Sequence, residues 1–141
     1  MTAYDPQNIF GKILRGEFSS HKVYEDADVL AVMDVFPQSR GHTLVIPKAP
    51  SRNLLDADPA VLSAVIPTVQ KLARAVVAAT GADGFRLVQF NESAAGQTVF
   101  HLHFHIIPAY EGVELGRHGA GGKADDAELA ALAKAIAAAL R

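Results

Sequence analysis

Three of the chain's six histidines fall at alternate positions in one short stretch, His101-Leu102-His103-Phe104-His105-Ile106-Ile107-Pro108. Leu102, Phe104 and Ile106 fill the places between. A strand points successive side chains to opposite faces. Read as a strand, the stretch therefore has an imidazole face and an apolar face. A helix would scatter the imidazoles around its surface and make poor use of the aromatic and β-branched residues. The expected strand begins at Thr98 or Val99. Pro108 should end it or occupy an unpaired edge position.

Such a row of imidazoles supports three kinds of chemistry. It can be structural, but three buried rings need three sets of hydrogen-bond partners. It can hold a metal, since histidine is a common zinc ligand. His101 and His105 are about 13 Å apart along a strand, whereas zinc wants each nitrogen at about 2.1 Å. One ion shared by all three is therefore disfavoured, while two of them with His42 remain a workable set. The third kind is attack on phosphorus. A neutral imidazole, with an ordinary pKa of about 6.5, is both a usable nucleophile and a good leaving group. Neighbouring imidazoles can donate to phosphoryl oxygens, and one can carry a proton to the leaving group. The preceding loop, Asn91 to Gly96-Gln97-Thr98, adds backbone N–H groups and a hydroxyl, a combination that binds anions without positive net charge. Neither GxxxxGK[ST] nor GxGxxG occurs, so a P-loop or dinucleotide fold is not supported.

The elements that must position these residues are legible from pattern. Asp5-Pro6 is a helix start, and Ile9, Phe10, Ile13 and Leu14 share a face before Gly16. Short strands are expected at Val23-Tyr24, Val29 to Asp34 and His42 to Ile46, the last stopped by Pro47. Asp58-Pro59 opens a long apolar helix that ends at Gly81. Pro67 lies inside it and should kink or divide it. A fourth strand runs from Phe85 to Phe90. Residues 111–123 hold five glycines and read as a loop. Asp125 or Asp126 then caps a last helix through Leu140. This order predicts an α+β fold, a five-stranded and mostly antiparallel sheet with one long helix and short terminal helices. Residues 1–110 form the catalytic unit, and 111–141 a loop and helix packed on it.

Composition narrows the function classes. The chain has 141 residues, half of them hydrophobic, and no cysteine. Disulfides, thiol catalysis and cysteine-ligated metals are excluded. A net charge of −2 without a basic block gives no basis for nucleic-acid binding. No signal peptide is visible, and no apolar stretch approaches the roughly 20 residues of a membrane span. The expected location is the cytoplasm.

The segment His101 to Ile107 matches the His-φ-His-φ-His-φ-φ signature of the histidine-triad (HIT) family. Ile9-Phe10-Gly11-Lys12-Ile13 resembles that family's N-terminal segment. Asp34, with His42-Thr43-Leu44-Val45-Ile46-Pro47-Lys48, resembles its second block. Asn91 and Gly96-Gln97-Thr98-Val99 resemble the loop entering the triad. The branch most resembled is the nucleoside phosphoramidate hydrolases and their bacterial relatives. The resemblance implies a purine nucleotide substrate attacked at its α-phosphorus by His103, giving a nucleotidyl-histidine that water hydrolyses. It implies that His101 holds and orients His103. His105 and His42 then bind phosphoryl oxygens or polarise the site. Gly96, Gln97 and Thr98 approach the phosphate and leaving group, and Asn91 supports the phosphate end. Asp34 would accept from the ribose hydroxyls, and Ile9, Phe10, Ile13, Val32 and Val35 would enclose the base. It implies a homodimer with one continuous sheet, and no cofactor or metal. Thr98 stands where many relatives have Ser, and the cysteines with which some bacterial relatives bind structural zinc are absent. His21 and His118 match no catalytic position and are read as surface residues, Lys48 as a surface charge. Dinucleoside polyphosphate hydrolysis, or nucleotide or partner binding with little catalysis, are the alternatives.

Overall fold

The computed structural model describes residues 2–117 and 121–141. Five strands form one antiparallel sheet: β1 (Lys22–Glu25), β2 (Val29–Met33), β3 (Thr43–Pro47), β4 (Gly84–Val88) and β5 (Phe104–Ala109), in the order β1-β2-β3-β5-β4. Asp26 sets the β1–β2 turn by accepting the N–H groups of Asp28 and Val29, each at 2.8 Å. Register then fixes the faces, because residues two apart share one. Leu44 lies opposite His105 and Val45 opposite Phe104. The imidazole of His105 thus shares a face with Leu44, and Phe104 shares the other with Val45.

The second face is covered by α2 (Pro59–Thr80) and α3 (Asp126–Ala138). Asp58 caps α2 through the Ala60 N–H at 2.8 Å, Pro59 follows, and Gly81 closes it at φ 71°. Val65, Val69, Leu72 and Val76 of α2, with Leu129, Leu132 and Ile136 of α3, bury against Ala31, Val45, Phe104 and Ile106. Each of the Val, Leu, Ile and Phe side chains among them contributes about 1.5–3 kcal/mol on burial. The C-terminal helix therefore shares the core of the long one. With its 22 residues, α2 is long and apolar enough to cross a membrane by length and composition, contrary to the expectation from the sequence. Here that length lies along the sheet. The opposite face carries α1 (Ile9–Leu14), where Phe10, Ile13 and Leu14 pack on Leu30, Val32, Leu44 and Ile46.

Four local expectations change. The cap of α1 is Asn8, which accepts the Gly11 N–H at 2.8 Å, while Asp5 makes its own turn with the Gln7 N–H. The long helix is unbroken through Pro67, which sits on its exposed side, so the carbonyl that loses its partner faces water. The triad strand starts at Phe104, later than expected. By continuation of the register, Pro47 would have to supply the next ladder N–H, and it has none. Its carbonyl accepts instead from the His101 ring, and the Leu102 N–H turns to the Ser51 carbonyl. Pro108, expected at a strand end or edge, lies within a central strand opposite Phe85. The β3 pairing stops at Ile106, so no N–H is demanded of it there.

Candidate active site

Hydrogen-bond partners assign the tautomer of each ring. His103 Nδ1 lies 2.6 Å from the His101 carbonyl oxygen, which can only accept. Nδ1 therefore carries the proton, and Nε2 is the unprotonated nitrogen. His42 Nδ1 accepts from the Gln38 N–H at 3.0 Å, so its proton is on Nε2. That proton points at His105 Nδ1, 2.9 Å away, with Asp34 Oδ2 at 3.4 Å. His105 is then protonated on Nε2. The result is a nucleophilic nitrogen on one ring and an N–H donor on its neighbour, with centroids 4.9 Å apart. Phe10 sets its edge against His103 at 4.8 Å, and Phe90 sets its edge against His105 at 5.5 Å.

His101 acts differently from its two neighbours. Its ring is fully buried; Nε2–H donates to the Pro47 carbonyl and Nδ1 accepts from the Tyr4 hydroxyl, both at 2.7 Å. Burial lowers its pKa, opposed by the bond to Pro47. Its side chain locks the segment, and its main-chain carbonyl orients His103.

The loop before the triad is held by a closed ring of side chains. Glu92 has φ 74°, the one positive φ outside glycine among the described residues, a conformation that costs free energy. Its carboxylate takes two bonds from Arg52, at 2.8 and 3.0 Å, and one from Asn53. Its N–H donates to Gln97 Oε1 at 2.7 Å, and Gln97 Nε2 returns to the Arg52 carbonyl at 2.7 Å. The Arg52 guanidinium holds the Glu92 carboxyl below its ordinary range, and Glu92 in turn raises Arg52. The next residues, Gly96 and Thr98, line a cavity of about 360 Å³ with His103 and His105.

The expected site residues divide. Gly96, Gln97, Thr98, His103 and His105 line that cavity, although the Gln97 amide is spent on the ring just described. His42 and Asp34 stand behind His105, Asp34 also accepting the Phe36 N–H at 2.8 Å. Phe10, Ile13 and Val32 form one apolar cluster. Ile9 is 41 % exposed and borders a separate cleft with Thr98. Val35 packs toward the α2–α3 core, away from Phe10. Asn91 is engaged by Gln89 and the Leu54 N–H, outside the cavity lining. His21 pairs with Asp126 and Lys48 with Glu25; His118 lies outside the described residues. Tyr4, Gln38, Arg52, Phe90, Glu92 and Arg117 were not anticipated. An Arg–Glu pair 40 positions apart has no local signature; Tyr4, just before Asp5-Pro6, has none either.

Asp34, His42 and His105 bring one ligand atom each within 4.8 Å of one another, as a metal site would. The donor chemistry does not fit an ion. His42 Nε2 bears the proton, because Nδ1 already accepts a backbone N–H, and a protonated nitrogen has no lone pair to give. The set is built as a hydrogen-bond relay.

Comparison with known proteins identifies the family and the fold. The HIT domain matches residues 15–112. The chain is 45% identical over 103 residues to the adenylylsulfatase HINT3 of Arabidopsis thaliana, a match covering 73% of this chain and 52% of that protein. It thus spans about half the length of that relative. A crystal structure of a Hit-like protein from Bartonella henselae superposes with a TM-score of 0.91 at 56% identity, covering 98% of this chain and all of the other. A zinc-bound histidine triad protein from Mycobacterium smegmatis superposes at 0.83 with 32% identity, over 94% and 92% of the two chains. By its matched domain, its paired imidazoles and its sheet, the chain belongs to the HIT family.

Proposed function

We propose that the protein hydrolyses or transfers the nucleotidyl group of a purine nucleotide conjugate through a covalent intermediate on His103. The supporting observation is the bond from His103 Nδ1–H to the His101 carbonyl, which leaves Nε2 unprotonated on a ring that lines the cavity. In this reading Nε2 attacks the α-phosphorus, and the bond to the leaving group breaks with its electron pair on that group. The ring becomes cationic, and its Nδ1–H is already seated on a carbonyl that favours positive charge. His105 Nε2–H and the Thr98 hydroxyl supply donors for phosphoryl oxygens. Water then attacks the phosphorus, loses a proton, and the P–N pair returns to Nε2. The Phe10, Ile13 and Val32 cluster takes the base, and Asp34 the ribose. The reaction needs no cofactor.

Candidate conjugates are nucleoside phosphoramidates, dinucleoside polyphosphates and, from the likeness to an adenylylsulfatase, adenylyl sulfate. The physiological unit in this reading is a homodimer. A groove of about 600 Å³ between α2 and β4 holds the exposed side chains of Ile66, Phe85 and Leu87, beside the outer edge of the sheet. A cysteine-free chain acting on nucleotides fits the cytoplasm.

The test is His103→Ala, assayed on an adenosine phosphoramidate and a dinucleoside polyphosphate. A folded variant should lose at least about three orders of magnitude in kcat, as when a nucleophile is removed. Full turnover in that variant defeats the covalent route. A wild type that binds nucleoside monophosphate without turnover indicates a binding module.

A further inference from the structure

We propose that Arg117 selects substrates whose leaving group departs as an anion, such as sulfate, phosphate or carboxylate. The inference rests on the reading above and narrows its substrate class.

Among the described residues lining the cavity at His103 and His105, Arg117 bears the one formal charge. No carboxylate among the described residues forms an ion pair with it. Its position is held through Gly116. Gln38 Nε2 donates to the Gly116 carbonyl at 2.8 Å, and the Gly116 N–H returns to the Gln38 carbonyl at 3.3 Å. The Gln38 N–H is the same group that fixes the tautomer of His42. One residue therefore ties the loop carrying Arg117 to the relay behind His105.

The cavity is asymmetric. Phe10 and its apolar neighbours lie over β2 and β3 beside His103. Gln38 and Arg117 form wall on the side of the loop that follows β2. With the nucleoside over the apolar cluster and phosphorus at His103 Nε2, the cavity that Arg117 helps to wall is the space left for the remaining substituent. A guanidinium there stabilises a developing anion.

Proton inventory favours the same class. When the bond from phosphorus to the leaving group breaks, the electron pair goes to that group. Sulfate, phosphate and carboxylate leave without a proton, whereas an amine requires one. His105 holds one proton, on Nε2, and its Nδ1 accepts from His42 Nε2–H. His42 Nδ1 faces a backbone N–H and receives no proton from it. Giving up the His105 proton would leave an imidazolate on one of the two rings. In this arrangement the pair offers one outward hydrogen-bond donor, His105 Nε2–H, and its other proton is engaged between the rings. Arg117 adds a positive charge to the cavity wall beside that donor.

The experiment compares kcat/KM for wild type, Arg117→Ala and Arg117→Lys on adenosine 5′-phosphosulfate and adenosine 5′-phosphoramidate. Arg117→Ala should lose about tenfold or more on the phosphosulfate and less than about threefold on the phosphoramidate, with Arg117→Lys recovering most of the loss. The phosphosulfate preference should shrink as ionic strength rises, because the side chain is exposed. Equal losses on both substrates, or no loss on either, overturn the proposal. His103→Ala assayed beside them separates the two claims. If it retains both activities, the covalent route fails, while the substrate ratio of the Arg117 variants still decides the role of Arg117.

Discussion

The three triad histidines look equivalent as letters and are not equivalent as acids, bases or donors. His103 keeps a lone pair and His105 a proton because their partners are a carbonyl and a protonated ring. His101 is neutral because it is buried between a hydroxyl and a carbonyl. Its lowered folded-state pKa has a defined sign. Unfolded histidine takes up a proton near pH 6.5, and the folded protein does so only lower. The stability is therefore fully present above about pH 6.5 and falls as pH drops below it. Denaturant midpoints at pH 5 to 8 should show this slope, and His101→Gln should flatten part of it; an identical slope in both proteins removes His101 as the cause. Tyr4→Phe, which strands a buried ring nitrogen, should cost about 1–3 kcal/mol at pH 8. An unchanged midpoint in that variant leaves the Tyr4 bond without weight.

At the scale of elements, the helices and strands were legible because their signals are local. Asp58-Pro59 and Gly81 mark the ends of α2, and the run expected from His42 to Ile46 marks β3 to within a residue, although Pro47, expected to stop it, is its last residue. The start of the triad strand at Phe104 has no local signal because its cause lies elsewhere in the chain, in the missing N–H of Pro47. The same holds for the site. The imidazoles, Gly96 and Thr98 could be read from spacing and family likeness, whereas the Arg52–Glu92 clamp joins segments that only folding brings together. Val35 lies one place beyond Asp34, and alternation sends it to the other side of the sheet. The loop ahead of His42 shows how tightly the elements meet. Gly41 has φ 95°, and a Cβ there would lie 2.7 Å from Thr80 Cγ2 of α2 and 3.2 Å from the Pro108 ring of β5. Gly41→Ala should destabilise by about 1–3 kcal/mol from backbone strain alone, more with the clash, and should lower kcat through His42. A chemical denaturation curve superposable on wild type contradicts that account.

For the whole molecule, two layers of helix protect one sheet unequally. α2 and α3 cover one face but leave an apolar groove beside β4, α1 covers part of the other, and among the described residues no strand pairs with the outer side of β4. The proposed dimer covers both that edge and the apolar groove. Sedimentation of the wild type should give twice the 14.9 kDa chain mass, and a Phe85→Glu, Leu87→Glu double variant should sediment as a monomer. A monomeric wild type ends the dimer proposal. The strand order carries a further consequence. Since β5 is next to the outermost strand, joining two β4 edges would leave three strand spacings between the two β5 strands, about 14 Å in all. That exceeds the screening length of about 8 Å at physiological ionic strength. Two charged ligands so placed would hardly sense one another through the field, and occupancy would follow a simple hyperbola, with any cooperativity left to mechanical coupling along the shared sheet.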